Sequence, residues 1–120
     1  GTSFFLDTKY APARKMIERG LPVALATDNN PGTCMIEGMP LIIGLACLKL
    51  KMTPEEAIIA STINAAKAIY KESDIGSLEP GKQADIIIMN ISDYREIPYR
   101  FGQNPVETVI KKGTITCLQE

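Results

Sequence analysis

An α/β unit followed by a mostly β segment is the fold class this sequence predicts, and three observations predict it. Pro12–Ala26 reads as helix, tight turn and buried strand, which is half of a βαβ unit. Thr53-Pro54-Glu55-Glu56 marks a helix start, with a capping hydroxyl, a proline at the first helical position and a glutamate three residues beyond the cap. Near Ser73 helical spacing gives way to short apolar runs punctuated by glycine and proline.

The first helix is expected to begin at Ala11-Pro12, since proline is tolerated in a first turn, with Ala13, Met16 and Ile17 as its apolar stripe and Gly20 as its stop. Val23-Ala24-Leu25-Ala26 is the kind of short, near-continuous apolar run that forms a strand buried on both faces of a parallel sheet. Glu37–Met52 reads as a helix that is apolar almost all round and therefore covered on several sides, and Lys49 and Lys51 suit the negative end of its dipole. The helix begun at Thr53 is expected to run to about Tyr70, burying Ile58, Ile59, Ile63, Ala65, Ala66, Ile69 and Tyr70 while Glu55, Ser61, Asn64 and Lys67 face outward. Pro80-Gly81 fits the centre of a type II turn. Asp85–Met89 follows as a buried strand, and Asn90–Asn104 as a long surface excursion. Val106–Ile110 and Thr114–Leu118 should pair antiparallel around a three-residue loop, Lys111-Lys112-Gly113.

The 120 residues are 45% hydrophobic and 22% charged, with a net charge of −1. That balance leaves no electrostatic footprint for nucleic acid or an anionic membrane. The longest apolar run, Met39–Leu48, is well short of the roughly 20 residues that span a bilayer. Cys34, Cys47 and Cys117 are odd in number and widely spaced, which argues for reduced thiols and a cytoplasmic setting over a disulfide framework or thiolate metal site. The opening residues lack an initiator Met and a signal-peptide pattern, so the chain is expected to begin inside a longer protein. Histidine is absent. Metal-based and proton-shuttling hydrolytic sites usually include an imidazole, so some groups of any such site should lie elsewhere.

The candidate site is the polar loop Thr27–Thr33, which follows the apolar run directly. A carboxylate such as Asp28 at the carboxyl end of a buried strand stands where α/β enzymes place their chemistry. Taken alone, Asp28-Asn29-Asn30-Pro31-Gly32 is also simply a good turn. Cys34 is better suited to packing than to ligation, and Cys47 to the core. Glu55 and Glu56 are accounted for by the helix start. Lys111-Lys112 reads as a solvated hairpin tip, and Tyr94, Tyr99 and Phe101 as packing aromatics.

Three stretches occurring in order resemble the metal-dependent amidohydrolase superfamily: Ala26–Thr33, then Met52-Thr53-Pro54-Glu55-Glu56-Ala57 with Asn64-Ala65-Ala66, then Gly76–Asp85. The first of these, with Gly1-Thr2-Ser3-Phe4-Phe5-Leu6, is similar to the imidazolonepropionase branch. The resemblance implies the C-terminal part of a (β/α)8 barrel over residues 1–73, with Val23–Ala26 as strand eight. Residues 74–120 would then be the C-terminal share of a composite β-sandwich. It implies a divalent metal, zinc or iron, with Asp28 as metal ligand and catalytic proton acceptor and the histidine ligands on earlier strands. Asn30 and Gly32 match product-contacting positions and Thr33 a substrate-contacting one. The implied reaction opens 4-imidazolone-5-propanoate to N-formimidoyl-L-glutamate in histidine degradation. The implied partners are that small-molecule substrate, the remainder of the parent polypeptide and a second copy in a homodimer. The fragment alone is expected to be inactive. A deaminase or dihydropyrimidinase-like amidohydrolase, and a non-catalytic α/β interaction module, are the alternatives.

Overall fold

The computed structural model describes residues 1–118. Its elements are α1 (Thr2–Phe5), α2 (Ala13–Glu18), α3 (Met39–Leu50), α4 (Pro54–Ser61), α5 (Ile63–Ala68), β1 (Ile86–Met89), α6 (Glu96–Tyr99), β2 (Val106–Lys111) and β3 (Thr114–Leu118). The last two residues of the expected sandwich segment lie outside the described residues.

Helix α3 is the centre of the core. It is apolar on every side, and Ile42, Ile43, Leu45 and Ala46 are all buried. Ile43 and Ala46 pack with Ala13 of α2, Val23, Met52, Ala57 and Ala60 of α4 and Ile97 of α6. Ile42 and Leu45 point the other way, onto Cys34 and Ile36 beyond the candidate loop. A helix with two apolar faces is stable only when both are covered, and here the loop-side cluster anchors the residues that follow Asp28. Lys51 ends the helix in the left-handed region at φ 59.

The capping box at α4 forms as the sequence predicts, with the Thr53 side chain accepting from the Glu56 N–H and the Glu56 carboxylate accepting from the Thr53 N–H. Glu56 also takes a two-pronged ion pair from Arg14 of α2, at 2.8 and 2.9 Å. The helix does not continue to Tyr70. It breaks at Thr62 (φ −121, ψ −97), where the Ser61 and Thr62 hydroxyls donate back to the Ala57 and Ile58 carbonyls at 2.7 and 2.8 Å, a competition that bends helices. Of the apolar face expected there, Ile59, Ile69 and Tyr70 are exposed. Asn64, expected to face outward, instead donates to the Val23 carbonyl at 3.1 Å.

Val23–Ala26 is extended but is not a sheet strand. It has no ladder partner among the described residues, Val23 is buried, and Ala24 and Ala26 are exposed. Helices hold it, through Asn64 on Val23 and through the Leu25 N–H on the Ala60 carbonyl at 2.9 Å.

The sheet is antiparallel in the order β1-β2-β3. The turn before it is as expected, with the Lys82 N–H donating to the Glu79 carbonyl at 3.2 Å across Pro80-Gly81. β1 is not buried: Ile87 and Ile88 are about half exposed. The β2–β3 loop is two residues long, not three, because Lys111 pairs with Thr114. Lys112 and Gly113 both take positive φ (52 and 79), the geometry of a tight hairpin turn whose twist matches its strands. Residues 90–104 are more than a surface excursion, since α6 lies within them and Ile97 enters the main core. Tyr99, expected to pack, is 87% exposed.

Candidate active site

Asp28 ends the extended segment and is exposed. Its φ of 55 places it in the left-handed region, where a non-glycine residue is uncommon and Asp and Asn are the most tolerant. The conformation is secured locally. The Asn29 N–H donates to Thr27 Oγ1 at 3.3 Å, and Asn30 Nδ2 donates to the Asp28 carbonyl at 2.7 Å.

Asn30 organises the rest of the loop. Its Oδ1 accepts from the Gly32 and Thr33 backbone amides at 3.0 and 2.8 Å and lies 3.2 Å from the Thr33 hydroxyl. Its backbone bridges Cys34 in both directions, at 2.7 and 3.3 Å. Cys34 is buried and its Sγ donates to the Thr27 carbonyl at 3.4 Å, which closes the loop at its base and keeps the thiol out of the site. The structure therefore brings Asp28, Asn30, Gly32 and Thr33 into one turn, as the sequence predicts.

Sequence reasoning missed Thr2. Its hydroxyl donates to Asp28 Oδ2 and sits 3.1 Å from Thr33 Oγ1, although 26 residues separate it from the carboxylate. Nothing in the spacing of Gly1-Thr2-Ser3 shows that the chain folds back onto the loop.

The donor set sets limits on a metal. Among the described residues no three His, Cys, Asp or Glu side chains gather to hold an ion. Asp28 offers one hard oxygen ligand, so the residues fit a metal as a single contributor and not as a complete site. Asp85 is held down to about 2 by its hydrogen bond from Lys111 and the Lys112 N–H. Asp93 is held at about 2 by the Arg95 guanidinium, and Glu56 is lowered by the hydrogen bonds from Arg14.

A cleft of about 820 Å³ opens between α5, the Ile75–Glu79 segment and β1, lined by Ile63, Ile69, Leu78, Ile86 and Ile87 among others. It contains none of the loop residues. Among the described residues no helix is long and apolar enough to cross a membrane.

Known proteins resemble this chain along nearly its whole length. The chain is 61% identical over 116 residues to the imidazolonepropionase of Alkaliphilus oremlandii (strain OhILAs), covering 96% of this chain and 28% of that protein. It is 55% identical over 115 residues to the imidazolonepropionase of Geobacillus kaustophilus (strain HTA426), covering 96% and 27%. The chain thus spans little more than a quarter of the length of these relatives. Among solved structures, an adenosine deaminase from Xanthomonas campestris with bound zinc superposes with a TM-score of 0.88 at 21% identity, over 98% of this chain and 30% of that one. That likeness is one of fold. Because the amidohydrolase family model matches residues 3–116, nearly the whole sequence, the chain belongs to the amidohydrolase family.

Proposed function

We propose that these residues form the C-terminal part of an imidazolonepropionase, which hydrolyses 4-imidazolone-5-propanoate to N-formimidoyl-L-glutamate in histidine degradation. The observation that carries this is the 61% identity, sustained over almost the whole chain, to a protein of that name. The loop supports it, with a carboxylate exposed at the end of an extended segment beside a turn rich in donors. In this assignment residues 1–73 belong to a (β/α)8 barrel and 74–120 to the sandwich. Val23–Ala26 is then the eighth stave, and its unpaired sides await neighbours from the remainder of the polypeptide. The protein would be cytoplasmic and homodimeric, with a small molecule as its substrate.

A divalent metal, zinc or iron, would supply an activated water and a polarised scissile bond. Asp28 would be one ligand, and histidines outside these residues the others. Asp28 also accepts the proton of the attacking water and returns it to the leaving nitrogen. Asn30 keeps one Nδ2 hydrogen for a ligand after serving the Asp28 carbonyl. Thr33 presents its hydroxyl, and Gly32 permits close backbone approach.

A non-catalytic module would be favoured by an Asp28 buried against Lys or Arg, whereas the residue is exposed and bonded to a threonine hydroxyl. The full-length polypeptide carrying these residues, loaded with zinc or iron, should consume imidazolone propionate and leave guanine, adenosine and dihydrouracil untouched, as followed by ultraviolet absorbance. Asp28→Asn should lower kcat by about 10²–10⁴-fold, the range for a lost general base. Turnover of an aminopurine or a cyclic ureide in place of imidazolone propionate would sink the assignment.

A further inference from the structure

The carboxylate of Asp28 is held from outside its own loop, and only by Thr2 among the described residues. We infer that Thr2 is a positioning residue: its hydroxyl fixes the orientation of Asp28 and couples it to Thr33. This rests on the proposed role of Asp28.

The direction of the hydrogen bond to Asp28 follows from counting protons. A carboxylate can only accept, so the single proton of the Thr2 hydroxyl goes to Asp28 Oδ2. Thr2 Oγ1 then has only lone pairs to offer Thr33, 3.1 Å away, and the Thr33 hydroxyl has a second acceptor in Asn30 Oδ1 at 3.2 Å. Thr2 thus stands between the Asp28 carboxylate and the Thr33 hydroxyl, while Asp28 Oδ1 has no hydrogen-bond partner among the described residues.

The packing beneath Thr2 keeps it there. A Cβ at Gly1 would stand 2.1 Å from Cys34 Sγ and 2.8 Å from the Thr27 carbonyl, so the backbone before Thr2 lies directly on the two residues that close the loop. The hydroxyl is thereby set over the carboxylate through the buried Cys34 cluster and not through a flexible side chain alone.

The test uses the full-length polypeptide with Thr2→Val, Thr2→Ser and Asp28→Asn. Partners that orient a metal ligand are typically worth 10–100-fold in metal affinity or activity. Thr2→Val should therefore weaken retention of Zn²⁺ against a competing chelator by at least about tenfold. It should also lower kcat, with KM changed much less. Thr2→Ser, which keeps the hydroxyl, should restore both. Melting temperatures establish that each variant folds, and Thr2→Ala replaces the valine variant if that one does not. Retention and kcat at the parent level in Thr2→Val or Thr2→Ala overturn the inference, as does a Thr2→Ser variant that is folded but as impaired as Thr2→Val. A full-activity Asp28→Asn variant overturns the proposed role of Asp28 itself, so the two failures are distinguishable.

Discussion

Asp28 and Gly76 show two different uses of a positive φ. At Asp28 the short polar side chain makes the left-handed conformation tolerable, and Asn30 secures it by binding the Asp28 carbonyl. This local logic was legible in the sequence, because Asp-Asn-Asn-Pro-Gly is a turn by composition. The partnership with Thr2 was not, since it depends on a contact between residues far apart along the chain. Gly76 is conformational and steric at once. Its φ is 94, and a Cβ would lie 2.7 Å from the Ala66 Cβ and 3.0 Å from the Ile63 Cα, both in α5. Gly113, with φ 79, has open space where its Cβ would go. Gly113→Ala should thus cost only the conformational penalty, about 1–2 kcal/mol. Gly76→Ala adds overpacking against backbone that cannot yield and should cost about 3 kcal/mol or more. Urea unfolding of the two variants compares them, and equal losses would show that α5 is free to move away from Gly76.

Among the elements, those specified by local chemistry were the legible ones. The α4 cap, the Pro80-Gly81 turn and the β2–β3 pairing all depend on neighbours in sequence. The break at Thr62 was hidden because the apolar stripe continues past it, although adjacent Ser61 and Thr62 hydroxyls supplied the back-bonds that cause it. The hairpin loop was read one residue too long because Lys111 is itself a strand residue, paired with Thr114, and its side chain reaches back to the approach of β1. Asp85 accepts from Lys111 Nζ at 2.5 Å and from the Lys112 N–H at 2.9 Å. The Lys111 hydrogen bond, with help from the Lys112 amide, holds the Asp85 carboxyl down to about 2. A carboxyl whose folded value lies below its unfolded value, near 3.9, contributes stability above the unfolded value and loses it as pH falls through the folded one. The clamp should therefore be fully present at pH 6, weaken below about pH 4 and be lost near pH 2. Asp85→Asn should melt below the parent at pH 6, and the difference should close as the pH is lowered. A gap that stays constant down to pH 2 would show that charge at Asp85 contributes nothing to holding the hairpin.

At the scale of the whole molecule, helix packing was foreseen better than sheet placement, for one physical reason. Helices α2, α3 and α4 bury their apolar residues against one another, so their burial is decided within the chain. An apolar run such as Val23–Ala26 or Ile86–Met89 announces a buried strand, but burial needs neighbours, and here the first has no ladder partner among the described residues and the second has only β2. The consequence is an unusual amount of exposed apolar surface: Ile69, Tyr70, Leu78, Ile87, Ile88 and Ile115 are all about half exposed or more. Several of them border the cleft between α5 and β1, and β1 offers an open edge to any strand that can pair with it. Prepared by itself, the 120-residue chain should associate with concentration, seen as a rising sedimentation coefficient. It should retain zinc weakly, because one carboxylate is too few ligands, and it should not hydrolyse imidazolone propionate. Supplying the remainder of the proposed parent polypeptide in the same solution should reverse all three by covering the open edge and completing the ligand set. A chain that stays monomeric and turns over substrate unaided would mean that its exposed faces need no partner and that Asp28 requires no ligands from elsewhere.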